Sequence, residues 1–102
     1  MIIRFVKMTF QEQYVEEFLT KLDERKERIR SFEGCQYLQI LQDVNDQRII
    51  FSHSYWDSEA ALDNYRHSDF FQETWAFTKP KFAEKAEAWS MESLHELKDV
   101  VV

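Results

Sequence analysis

One glycine, one proline and one cysteine occur in the 102 residues of this chain. With so few breakers, long secondary-structure elements are expected. A single glycine excludes a glycine-rich phosphate-binding loop, which needs several where backbone meets phosphate. A single cysteine, Cys35, excludes an intramolecular disulfide, and no Cys/His cluster with zinc-ligand spacing accompanies it. Long hydrophobic runs are also missing. The apolar part of the N-terminal MIIRFVKMTF is too short for a signal peptide, and no stretch is long enough to span a membrane. A soluble, cytoplasmic protein without membrane contact is therefore expected. Positive charge is scarce too, with 13 Lys and Arg against 19 Asp and Glu and a net charge of -6. That balance argues against a nucleic-acid partner, which needs a concentrated basic surface. The one basic run, Lys21 to Arg30, is interleaved with Asp23, Glu24 and Glu27 and reads as a solvated helix face.

Aromatic rings are plentiful: nine Phe, four Tyr and three Trp. They matter because a chain of this length, expected to be one domain over residues 1–102, buries only about two thirds of its unfolded surface. Large rings bury the most area per side chain.

The order of elements follows from periodicity. Residues 2–8, IIRFVKM, read as a strand with Ile3, Phe5 and Lys7 on one face and Ile2, Arg4, Val6 and Met8 on the other. Both faces are largely apolar, so both need cover, a first pointer to a dimer. Thr9 and Glu12 have capping-box spacing. A long helix is expected after them, with Tyr14, Phe18, Leu22, Ile29 and Phe32 on its apolar face, ending near Phe32 before Gly34. Residues 35–42 and 48–56 read as a hairpin around Asn45 and Asp46. Ser58 can cap a short helix through Arg66, and Ser68 another that starts at Asp69 and ends or kinks at Pro80. Residues 86–95 read as a last strand, and the tail 96–102, ELKDVVV, is expected to add to a sheet edge or reach a partner subunit. The order β-α-β-β-α-β defines an α+β, ferredoxin-like domain: an antiparallel sheet with helices on one face.

Three stretches carry a family likeness. They are the Phe32-Glu33-Gly34 helix end, the Tyr55-Trp56 strand end with Asp57-Ser58-Glu59-Ala60, and Tyr65-Arg66-His67-Ser68 leading to Phe70-Phe71. In residue type and spacing the chain resembles the antibiotic biosynthesis monooxygenase family over about residues 1–95. The resemblance implies a homodimer whose sheets close into a dimeric α/β barrel, with a pocket between sheet and helices in each subunit. It also implies oxidation of a small phenolic, hydroquinone or polyketide-like aromatic by molecular oxygen, with no flavin, metal or haem cofactor. Other members of the family degrade haem with an Asn, a Trp and a His that binds the iron. The matching positions here are Lys7, Tyr65 and Trp75. The indole nitrogen of tryptophan is a donor only and offers no lone pair to iron, so haem degradation is not expected.

Cofactor-free oxidation needs a base or a cation that favours the substrate anion, and a dry aromatic pocket around it. His53, mid-strand between Ser52 and Ser54, is the candidate base; its other reading is a half-buried histidine bonded to backbone or water. Lys7 is the candidate cation, or else a lysine reaching solvent from the strand end. Tyr65, Phe71 and Trp75 are the candidate substrate-binding residues. Phe71 and Trp75 share a helix face, which equally suits core packing. Trp56 reads as a packing anchor, His67 as a helix-end residue, and His95 with Glu87, Trp89 and Met91 as interface. The rival function is a non-catalytic dimeric domain that holds a small hydrophobic ligand in the same pocket. An RNA-binding module of related fold is excluded by the acidic balance and by the lack of an aromatic-basic strand motif.

Overall fold

The computed structural model describes residues 1–97. Strand β1 (Ile2–Thr9) is followed by a 3-10 turn (Glu12–Tyr14) and helix α1 (Val15–Arg30). Strands β2 (Cys35–Gln42) and β3 (Ile49–Trp56) come next, then helices α2 (Glu59–Arg66) and α3 (Asp69–Thr78). A 3-10 turn (Lys79–Lys81) leads to strand β4 (Glu87–Met91). The four strands form one antiparallel sheet in the order β2-β3-β1-β4. This is the ferredoxin-like, α+β arrangement, with the helices packed on one face.

Local chemistry explains most of the boundaries. The Ser58 hydroxyl accepts from the Ala61 amide at 3.1 Å and the Ser68 hydroxyl from the Phe71 amide at 3.1 Å. Each satisfies an orphan donor at the start of its helix. The β2–β3 hairpin turns on Asp43, whose carboxylate accepts from the amides of Asn45 at 2.9 Å and Asp46 at 2.8 Å. Gly34 stands at φ +87°, where a side chain is strained, and a Cβ there would lie 2.5 Å from the Ala61 Cβ. Its carbonyl accepts from the Asp57 amide at 2.8 Å, which ties the start of β2 to the end of β3.

Two expectations are corrected. The Thr9–Glu12 capping box does not form, and α1 opens at Tyr14 without a side-chain cap. Thr9 is still strand: its carbonyl accepts from the Ala83 amide at 2.8 Å, and the next residue, Phe10, is fully buried and bridged to Phe82. Burial of Phe10 outweighs the cap, so a 3-10 turn bends the chain into the helix instead. The last strand spans five residues rather than ten, because its ladder on β1 runs from Lys7–Glu87 to Ile3–Met91 and β1 begins at Ile2. Residues 92–97 form no strand, His95 is exposed, and the remainder of the tail lies outside the described residues.

The core is split. One cluster joins Met8, Phe10, Val15, Phe18 and Ile50. The other joins Cys35, Trp56 and Leu62, with Phe32 and Tyr65 against it. No helix among the described residues is long and apolar enough to cross a membrane.

Candidate functional site

A cavity of about 500 Å³ lies between the two core clusters, with the sheet as its floor and the helices as its walls. Three cross-strand rows build the floor. Leu38, Ser54, Arg4 and Ser90 form the first, Ile40, Ser52, Val6 and Ala88 the second, and Gln42, Ile50 and Met8 the third. Of these, Arg4, Ser54 and Ser52 bring polar groups to the cavity, and Leu38, Ile40, Val6, Met8 and Ala88 line the rest of its floor.

Rings from the helices form the facing wall. Tyr65 stacks on Trp56 at 4.8 Å and meets Phe71 edge-on at 5.1 Å. Phe71 in turn stacks on Trp75 at 5.9 Å, with the planes 11° apart. The Trp56 indole donates to Ser54 Oγ at 2.9 Å, which holds that buried ring and the hydroxyl in place. Arg25 braces α1 against α3 by donating to Thr74 Oγ1 at 3.0 Å and pairing with Glu73 at 2.8 Å. The contact with Arg25 also holds the Glu73 carboxyl below its ordinary value.

Electrostatics sharpen the picture. Burial, and after it the nearby Cys35 thiol, push the Tyr65 hydroxyl well above the usual phenol range. Tyr65 is therefore a neutral hydrogen-bond donor near pH 7, not a base. Arg4 donates to Ser90 Oγ at 2.8 Å. Burial first, and the charge of Arg66 second, push its guanidinium below the ordinary value, while Asp63 acts the other way. Arg66 and His67 stand at the rim. His67 caps the end of α2, with its Nδ1 2.7 Å from the Asp63 carbonyl oxygen.

The five residues singled out by sequence do not come together. Tyr65, Phe71 and Trp75 share the cavity wall. His53 and Lys7 lie on the opposite, open face of the sheet, because strand side chains alternate and Ile3, Phe5 and Lys7 all point away from the helices. There the His53 ring lies flat on Phe5 at 4.2 Å, with Tyr37 and Tyr55 edge-on at 5.4 and 5.2 Å. Burial lowers the His53 pKa. Lys7 sits between Phe51 and Glu87 in the ladder. Arg4, Ser52 and Ser54 take the floor positions that the sequence reading missed. The signal was present in β1, where Arg4 interrupts the otherwise apolar series Ile2, Val6 and Met8. Among the described residues, no three His, Cys, Asp or Glu side chains come together as a metal site.

Known proteins confirm the architecture. The sequence model of the antibiotic biosynthesis monooxygenase family matches residues 1–76, and the chain belongs to that family. A crystal structure of an antibiotic biosynthesis monooxygenase superposes with a TM-score of 0.88 at 16% identity, over 93% of this chain and 100% of that one. A conserved protein from Methanosarcina mazei Go1 gives a TM-score of 0.82 at 24% identity, over 88% and 90% of the two chains. An antibiotic biosynthesis monooxygenase candidate from Deinococcus radiodurans gives 0.87 at 12% identity, over 99% and 100%. No curated protein matches the sequence.

Proposed function

We propose that the cavity between sheet and helices is the site of a cofactor-independent monooxygenase that oxidises a small phenol, hydroquinone or polyketide-like aromatic. The ring wall of Tyr65, Phe71 and Trp75 over a floor of serine hydroxyls and Arg4 carries this reading. Such chemistry balances without a cofactor. A phenol and one dioxygen give a quinone and one water, and all four electrons come from the substrate. The protein's task is to favour the phenolate, hold it against the rings and keep bulk water away. The Tyr65 donor lowers the cost of the anion. Oxygen uptake with a panel of quinols and anthrones tests the reading: a rate above the uncatalysed one is expected, and none across the panel would sink it.

A second reading is binding without turnover. It is favoured by the absence of a carboxylate from the cavity wall among the described residues, and by the engagement of His67 with the Asp63 carbonyl. It predicts ligand-induced thermal stabilisation with no oxygen uptake.

The same proposal includes a homodimer closed on the open face. What supports it is the composition of that face. Tyr37, Tyr55, Ile3 and Met91 form one row and Gln39, His53, Phe5 and Trp89 the next. Trp89 and Met91 are each 43% exposed in the single chain, a large apolar area to leave in water. On this reading Lys7 and His53 belong to the subunit contact rather than to the cavity.

A further inference from the structure

The cavity has a charge that the rest of the chain does not. Acidic residues outnumber basic ones by 19 to 13 over the whole sequence. The cavity wall, however, includes two arginines, one histidine and no aspartate or glutamate among the described residues. Arg4 is half-buried on the floor, and its hydrogen bond goes to a neutral hydroxyl, Ser90 Oγ. No carboxylate pairs with it at contact distance among the described residues. Arg66 enters from the end of α2. Among the described residues it pairs loosely with Asp63 at 3.8 Å, with both side chains about half exposed. The two guanidiniums act on each other, since the charge of Arg66 is a cause of the lowered Arg4 pKa. Arginine remains charged regardless. Two like charges face one partly closed space, with Asp63 offsetting them in part, and an anion between them relieves their repulsion.

We propose that the cavity selects an aromatic acid: a phenol or hydroquinone that carries a carboxylate, held by Arg4 and Arg66, with its ring against Tyr65, Phe71 and Trp75. This rests on the reading of the cavity as an aromatic-ligand site and names the class of ligand it takes. A carboxylate suits the position because its two oxygens match the planar fork of a guanidinium. Two arginines can then share one anion. Anchoring the acid at the Arg4 end lays the ring along the aromatic wall and leaves the phenol end free to react. Ser54 Oγ, already taken by the Trp56 indole, adds a hydroxyl beside Arg4 in the same row. Neutral quinols of equal size lack the group that would satisfy the paired cations.

The test is a calorimetric titration at pH 7 with 2-naphthoate and its neutral isostere 2-naphthamide, on the wild-type protein and on Arg4→Gln, Arg66→Gln and Arg4→Lys. The acid is expected to bind at least about tenfold more tightly than the amide, the usual scale for a charge-assisted pair. Arg4→Gln should remove most of that preference while leaving amide binding within about twofold, because the aromatic wall is untouched. Arg66→Gln should weaken it, and Arg4→Lys should keep part of it. Equal binding of acid and amide to the wild type, with both binding, overturns the acid specificity alone. A full preference surviving in both Gln variants overturns the assignment to these arginines. Binding of neither compound overturns the acid specificity together with the aromatic cavity. A tenfold acid preference in a protein that consumes no oxygen upholds the acid site and removes only the monooxygenase reading.

Discussion

The His53 ring lies flat on Phe5, with centroids 4.2 Å apart and planes within 10°, on the face of the sheet that the helices leave open. The neighbour of Phe5 in β1, Arg4, turns the other way into the cavity. Two adjacent residues of β1, Arg4 and Phe5, thus serve two different surfaces, the cavity floor and the open face of the sheet.

Partial burial of His53 makes stability pH-dependent in a defined direction. Burial lowers the His53 pKa in the folded chain. The unfolded chain then binds the proton more readily, so stability is complete above the ordinary value near 6.5 and is lost as pH falls below it. The thermal midpoint of the wild type should drop between pH 7.5 and pH 5.5 by more than that of His53→Phe. Equal drops in the two proteins would assign the dependence to other groups.

Gly34 tests the junction between β2 and α2. Gly34→Ala places a Cβ 2.5 Å from the Ala61 Cβ at φ +87°. It should cost about 2 kcal/mol or more in urea unfolding, from the left-handed backbone and the clash together. A loss under about 0.5 kcal/mol, the scale of a neutral surface change, would contradict the described packing.

The open face can be tested by charge. The wild type is expected to scatter light as a dimer at micromolar concentration, and Trp89→Lys to scatter as a folded monomer. Trp89 lies on the edge strand and is 43% exposed in one chain, so the subunit should tolerate the change. A wild-type monomer at that concentration would rule the dimer out.

Tyr65 and Trp75 separate the parts of the cavity wall. Trp75→Ala should weaken an aromatic ligand by about tenfold through lost stacking. Tyr65→Phe keeps the stack on Trp56 and loses only a donor, so turnover should fall by about tenfold or more with little change in thermal midpoint. Because the Tyr65 hydroxyl stays protonated well above neutral pH, the pH profile of the remaining activity should keep its shape. A shifted limb in the variant would show that Tyr65 acts as a base after all.

How much of this was legible depended on the type of element. The two short helices could be placed because Ser58 and Ser68 are sequence-local caps, and the end of α1 because only one glycine is available for a positive φ. Phe71 and Trp75 were legible for a related reason: helical spacing defines one apolar face, which must meet the sheet, whereas Tyr65 on α2 came with the family likeness. The strands were different. β1 and β3 carry apolar residues at both odd and even positions, so their pattern cannot tell which face the helices cover. Choosing Lys7 and His53 rather than Arg4 and Ser54 was a one-residue choice of face, settled only by tertiary packing. The capping box at Thr9 failed for the same kind of reason, since burial of Phe10 depends on Phe82, seventy-two residues further along the chain.

The central claim is that the cavity lets an aromatic substrate reduce dioxygen with its own electrons. The most direct measurement supplies heavy-oxygen-labelled dioxygen with a phenolic or quinol substrate and weighs the product. One labelled oxygen atom in each quinone, formed faster than without protein and about tenfold more slowly with Tyr65→Phe, is the predicted result. Product without label, or label incorporated at the uncatalysed rate, would contradict it.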